Sequence, residues 1–133
     1  MLEKAKPHMP DVVYRRAKHI ITENARTLSA STALKNGDIV TVSEAMAASH
    51  ASMRDDFEIT VPPIDYLVKI IHSLIGNTGG VRMTGGGFGG CVVALVPTDR
   101  VNDVKQCVAD NYFNETGYHA DIYVCTATQG AFA

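Results

Sequence analysis

Apolar positions along the chain recur at two periods and divide it into helices and strands. From Asp11 to about Ser31, Val13, Ala17, Ile20, Ile21 and Leu28 mark one face of a helix, with Pro10 near its first turn. Arg15, Arg16, Glu23 and Arg26 on the same helix read as a solvated face with pairing at i,i+3. Asn36, Gly37 and Asp38 then supply a stop, a turn and a start. Asn and Gly favour left-handed backbone, and Asp38 can cap the next helix. So short a polar break predicts an antiparallel helical hairpin. In its second arm Ile39, Val42, Met46, Ser49 and Met53 step by 3, 4, 3 and 4, a core-packing stripe.

A third helix is predicted from about Pro63 to Leu74, with Ile64, Leu67, Val68, Ile71 and Leu74 apolar. Asp65 lies four residues before Lys69, the favourable order for an ion pair, and Gly76 ends the helix. The period then changes. Val81 to Thr84 reads as a short strand, and Cys91 to Val96 as a continuous apolar strand closed by Pro97. Val101, Val104 and Val108 give a fourth helix ending near Gly117. Ala120, Ile122 and Val124 alternate with Asp121, Tyr123 and Cys125 in a last strand, to Thr126. The order is ααα-ββ-α-β: an α+β fold with helices on one face of a small, mostly antiparallel sheet. Three short strands make a thin sheet. A fourth is either missing from the chain or supplied by Phe57 to Val61.

Composition adds bounds. At 133 residues the chain fits a single domain, 1–133, since domains cluster at about 100–150 residues. A net charge of -2, from 12 basic and 14 acidic residues, gives no basic face of the kind nucleic acid requires. No apolar run is long enough to span a membrane, and MLEKAKPHMP lacks the apolar core of a secretory signal. Cys91, Cys107 and Cys125 show no CxxC spacing, and read as reduced core residues of a cytoplasmic protein. His8, His19, His50, His72 and His119 have no metal-ligand spacing. Asp55 and Asp56 are adjacent, so on a helix they do not face each other. The polar stretch Ser49 to Phe57 therefore reads as a helix end with solvated charges.

One compositional fact changes the picture. Eight of the eleven glycines lie between Gly76 and Gly90. Glycine loses the most conformational entropy on folding, so such a cluster signals backbone that something approaches closely. Gly85, Gly87 and Gly90 satisfy G-x-G-x-x-G, but the dinucleotide site requires a helix after the glycines, and here Val92 to Val96 is a strand. No Gly-Lys-Ser/Thr follows, which excludes a Walker loop. What remains is a glycine connection between two strands. Its backbone N–H groups can converge on an anion, or another element can pack directly against it. A two-residue turn would join the strands, so five glycines in the six positions 85–90 exceed what a bend needs.

The run Val81-Arg82-Met83-Thr84-Gly85-Gly86-Gly87-Phe88-Gly89-Gly90-Cys91 closely resembles the third conserved motif of galactokinases, within the GHMP small-molecule kinase superfamily. Further agreement comes from Arg16-Ala17-Lys18-His19 with Glu23-Asn24-Ala25-Arg26, from Ser49 through Thr60, and from Tyr123-Val124-Cys125 with Gln129-Gly130-Ala131. The resemblance thus spans nearly the whole chain, yet it covers only about the C-terminal third of such an enzyme. It implies a part of a kinase that transfers the γ-phosphoryl group of ATP, with Mg²⁺, to the 1-hydroxyl of galactose. The family's galactose motif, ATP loop and catalytic Asp and Arg belong to an N-terminal domain with no counterpart here, so no residue of this chain is assigned as catalytic. For Thr84, Gly85, Gly86, Gly87, Phe88, Gly89 and Gly90 the resemblance implies a place beside the nucleotide phosphates, with Gly85 to Gly87 nearest. Arg82 and Thr84 are weaker candidates for contacts across the domain interface.

By this reading the chain alone is inactive, holds no cofactor tightly, and exposes a face that the N-terminal domain would cover. Association into a homodimer through that face is then expected. The alternative is a non-catalytic, galactokinase-like sensor or interaction module. An ATP loop and catalytic Asp encoded upstream would favour the enzyme.

Overall fold

The computed structural model describes residues 2–85, 87 and 90–126. After a short helix α1 (Leu2–Ala5) and a 3-10 turn, α2 (Asp11–Lys35) begins behind Pro10 and runs four residues past the expected Ser31. Its first turn is tied by Arg15 Nε donating to Asp11 Oδ2 at 2.8 Å. Helix α3 (Ile39–Ser52) starts where the sequence places its cap: Asp38 accepts the Thr41 N–H at 3.2 Å and the Thr41 hydroxyl at 2.6 Å. The two helices form the predicted antiparallel hairpin, since His19 meets Ser52 and Glu23 meets Ser49.

Helix α3 continues as a π-helical turn, Met53–Phe57, which Glu58 stops in the left-handed region at φ 58. The alternative strand at Phe57 to Val61 is therefore not formed. Helix α4 (Pro62–Ile75) comes next, with proline in its first turn, where no N–H is needed. Strands β1 (Gly80–Thr84) and β2 (Cys91–Leu95) pair antiparallel, from Gly80 opposite Leu95 to Thr84 opposite Cys91. Helix α5 (Val101–Thr116) ends at Gly117, whose N–H returns to the Phe113 carbonyl at 2.8 Å.

The core lies on one face of this hairpin sheet. Val68, Ile71 and Ile75 from α4 meet Val81 from β1 and Val104, Val108 and Tyr112 from α5. Met53, Ile64 and Met83 form a smaller cluster beside it, flanked by Ile59, Val61 and Val92. The class read from the pattern, α+β with helices on one face of a small antiparallel sheet, describes the molecule. The apolar stripes assigned to α3, α4 and α5 all point inward.

Four expectations are corrected. Residues 120–126 form no strand, leaving Tyr123 84% and Val124 58% exposed; their alternation is intact, but no neighbouring strand pairs with them. The apolar face of α2 is turned outward, with Ile20, Ile21 and Leu28 exposed, while Tyr14, His19 and Ala33 are buried. Arg15, Arg16, Glu23 and Arg26, read as a solvated face, instead lie partly buried against the rest of the chain. The cysteines are not core residues: Cys91 and Cys125 are exposed and Cys107 half-buried, because Cys91 sits on the uncovered face of β2 and Cys125 in the unpaired tail.

Candidate functional site: the glycine hairpin and its supports

The last pair of the sheet, Thr84 opposite Cys91, opens directly into the glycine connection. Gly85, Gly87 and Gly90 have φ of 91, 89 and 90, a region that side chains other than hydrogen avoid. The glycines are thus a conformational requirement at these three positions. Gly87 has a second reason. A Cβ there would stand 2.7 Å from Ile59 Cβ and 2.8 Å from the Ile59 carbonyl oxygen, so the hairpin is pressed against the segment leading into α4. A Cβ at Gly85 or Gly90 would meet open space. Gly86, Phe88 and Gly89, also singled out by the sequence, lie outside the described residues, as do Gln129, Gly130 and Ala131.

Arg82 and Thr84 belong to the same hairpin and are half-buried. The Arg82 Nε donates to the Met83 carbonyl at 2.9 Å, which folds the guanidinium back along its own strand. The neighbouring Met83 N–H is turned to α3 and donates to His50 Nδ1 at 3.1 Å. His50 Nε2 lies 2.8 Å from Asp65 Oδ1, and Asp65 Oδ2 accepts the Thr60 hydroxyl at 3.1 Å. The Asp65 carboxylate is therefore engaged by His50 and Thr60, not by Lys69.

A second polar group sits between α2 and α3. His19 Nδ1 is 2.8 Å from the Ser52 hydroxyl, and the ring stacks on Phe57 with centroids 4.8 Å apart. Ser49 donates to Glu23 Oε2 at 2.7 Å, and Glu23 Oε1 stands 3.6 Å from Arg26 Nε. Burial pushes the His19 pKa below its ordinary value; Glu23 opposes this and Arg26 adds to it. Nearby, Arg15 Nη1 and Arg16 Nη1 donate to the Asp55 and Asp56 carbonyls at 3.1 and 2.7 Å, and both pair with Glu58. Asp55 is exposed and bonded to Arg54, which holds its carboxyl below the usual range. The two aspartates face different partners, Asp55 taking Arg54 and Asp56 the Ser52 hydroxyl at 3.4 Å.

The stretch Ser49 to Phe57, read from the sequence as a solvated helix end, instead buries Ser49, His50, Ser52 and Met53, and the sequence did not mark their partners or Ile59. A signal was present: Ser49 falls on the otherwise apolar stripe of α3, and a polar residue on a core stripe needs a buried partner. Among the described residues no group of three or more His, Cys, Asp or Glu could hold a metal ion, and no helix is long and apolar enough to cross a membrane.

The family described as GHMP kinases C terminal matches residues 30–114. A galactokinase from Pasteurella multocida is 58% identical over 118 residues, 89% of this chain and 31% of its own length. One from Haemophilus influenzae strain PittEE is 59% identical over 116 residues, 87% of this chain and 30% of its own. Among solved structures, Lactococcus lactis galactokinase complexed with galactose superimposes with a TM-score of 0.82 at 35% identity, covering 92% of this chain and 32% of that one. The chain thus spans under a third of the length of the relatives it matches.

Proposed function

Because the chain belongs to the GHMP kinase C-terminal family, we propose that it is the C-terminal part of a galactokinase, which phosphorylates galactose with ATP. The observation that carries this reading is the hairpin: three glycines at positive φ close a strand pair in a chain that matches galactokinases along most of its length. Phosphoryl transfer is catalysed mainly by positioning and by electrostatic stabilisation of spread negative charge. Gly85 to Gly90 would line the phosphate side of the ATP site. Backbone without side chains lets the phosphates approach, and its N–H groups can receive them. Thr84 borders that surface. Arg82 commits one donor, Nε, to the Met83 carbonyl, so a contact across the interface would fall to Nη1 or Nη2.

Mg²⁺ serves the complete enzyme by neutralising phosphate charge. Its ligands are assigned to the N-terminal portion. The catalytic groups and the galactose contacts are assigned there too, so this chain alone is inactive. Two uncovered apolar surfaces support a missing neighbour: the outer stripe of α2, and the face of β2 carrying Val93 and Leu95. In the absence of that neighbour they would drive homodimerisation. Three unpaired thiols fit a cytoplasmic location.

The test is a chimaera in which the upstream part of Pasteurella multocida galactokinase is joined to this chain at the start of their matched region. Galactose-dependent ADP release by the chimaera, with none by the chain alone, is the expected result. A chimaera that binds galactose but does not turn it over, or turnover by the chain alone, overturns the proposal.

A further inference from the structure

We propose that His50 is the positioning residue of the glycine hairpin: its bare Nδ1 accepts the Met83 N–H and locks the outer edge of β1 where the hairpin begins. Hydrogen-bond polarity fixes the tautomer of the ring. A backbone N–H can only donate, so Nδ1, 3.1 Å away, carries no proton. The ring proton is then on Nε2, which donates to Asp65 Oδ1 at 2.8 Å. Asp65 is fixed in turn by the Thr60 hydroxyl and by its place in the first turn of α4. Both ring nitrogens are used, and the residue is 4% exposed.

The position gives this chain of bonds its consequence. Met83 is fully buried, and its N–H faces away from β2. A strand edge of this kind is ordinarily satisfied by another strand. Here His50 replaces that strand at one residue, and the Arg82 side chain covers the Met83 carbonyl. Thr84 and Gly85 come immediately after Met83. Beyond the contact of Gly87 with Ile59, the glycines have no side chains to fix their path, so the hairpin's direction is set largely by its root. Helix α4, through Asp65 and His50, thus determines where the glycines point. That the hairpin meets phosphates rests on the galactokinase reading; that His50 orients it does not.

Two isosteres separate this role from packing. Asn places an oxygen near the Nδ1 position and can accept the Met83 N–H, whereas Gln reaches the Nε2 position and can bond only Asp65. Amide hydrogen exchange of the chain, read residue by residue, should show His50→Asn close to wild type at Met83. His50→Gln should exchange there at least about tenfold faster, the factor for one lost buried bond, and should also loosen Gly85 and Gly87. Amides of α5 should stay protected in both variants. Equal protection at Met83 in Gln and wild type, or equal loss in Asn and Gln, overturns the proposal. Should both variants unfold, the imidazole nitrogen spectrum of the unmodified chain still decides. A protonated Nδ1 at neutral pH refutes the assignment, and a bare, hydrogen-bonded Nδ1 supports it. Neither readout involves nucleotide, so failure of the kinase reading in the chimaera leaves this test standing, and the converse holds.

Discussion

His19 shows how much the interior of the α2–α3 hairpin depends on single polar contacts. The ring is buried between Ser52 and Phe57, and desolvation holds its pKa below the ordinary 6.5. The unfolded chain therefore takes up a proton before the folded one does. Stability contributed at neutral pH is lost as the pH falls from about 6.5 through the lowered folded pKa. Urea unfolding across that window should show the decline, and His19→Gln should flatten it. An unchanged slope would place the titrating group elsewhere. Glu23 carries a second expectation. It lies beside Ser49 and beside Arg26, whose Nε and Nη2 are buried without a hydrogen-bond partner. Glu23→Ala should cost about 1–3 kcal/mol in denaturant unfolding, the range for a polar group left unsatisfied. Part of that loss should return when Arg26→Ala is added. The i,i+3 pairing of Glu23 with Arg26 was legible in the sequence; the long-range contacts were not. The partners of Glu23, His19 and His50 lie 26, 33 and 33 residues away, and only the folded chain brings them together.

Elements were legible wherever their ends carry local chemistry. Asp38 caps α3, Gly117 closes α5, and the glycine run separates β1 from β2, all as their residue types require. Hydrogen bonds from Thr41 hold the Asp38 carboxyl below its usual value. Asp38→Ala should therefore lower Tm at neutral pH, and the difference from wild type should close as acid protonates the cap through that depressed pKa. The stretch 120–126 shows the limit of such reading. Alternation marks a segment able to pair, and pairing needs a neighbour that sequence periodicity does not contain. The hairpin itself allows a comparison within one element. Alanine at Gly85 or Gly87 meets the same backbone strain, about 1–3 kcal/mol at positive φ. Only at Gly87 does the new methyl also strike Ile59. Thermal unfolding should rank Gly87→Ala below Gly85→Ala. Equal losses would mean that the contact with Ile59 yields freely.

On the scale of the whole molecule, apolar pattern and burial disagree on α2 and on β2. Val13, Ile20, Ile21 and Leu28 on α2, and Val93 and Leu95 on β2, belong to stripes that would normally be covered, yet each is exposed by 40% or more. The sequence shows the stripes; it could not show that α2 turns its polar side inward. The buried bonds of His19 to Ser52 and Glu23 to Ser49 favour that orientation over burial of the apolar side against α3. An apolar helix face and an apolar sheet face left bare in one chain should associate. Sedimentation velocity should therefore show a species larger than the monomer at high concentration. Ile20→Glu with Leu28→Glu should return the chain to monomer. Both side chains already face solvent, so these changes leave the core contacts in place and helicity should be retained. If the double variant remains associated, α2 is not the contact and the β2 face becomes the next to test, through Val93→Lys. A wild-type chain that stays monomeric at every concentration would refute self-association through either surface.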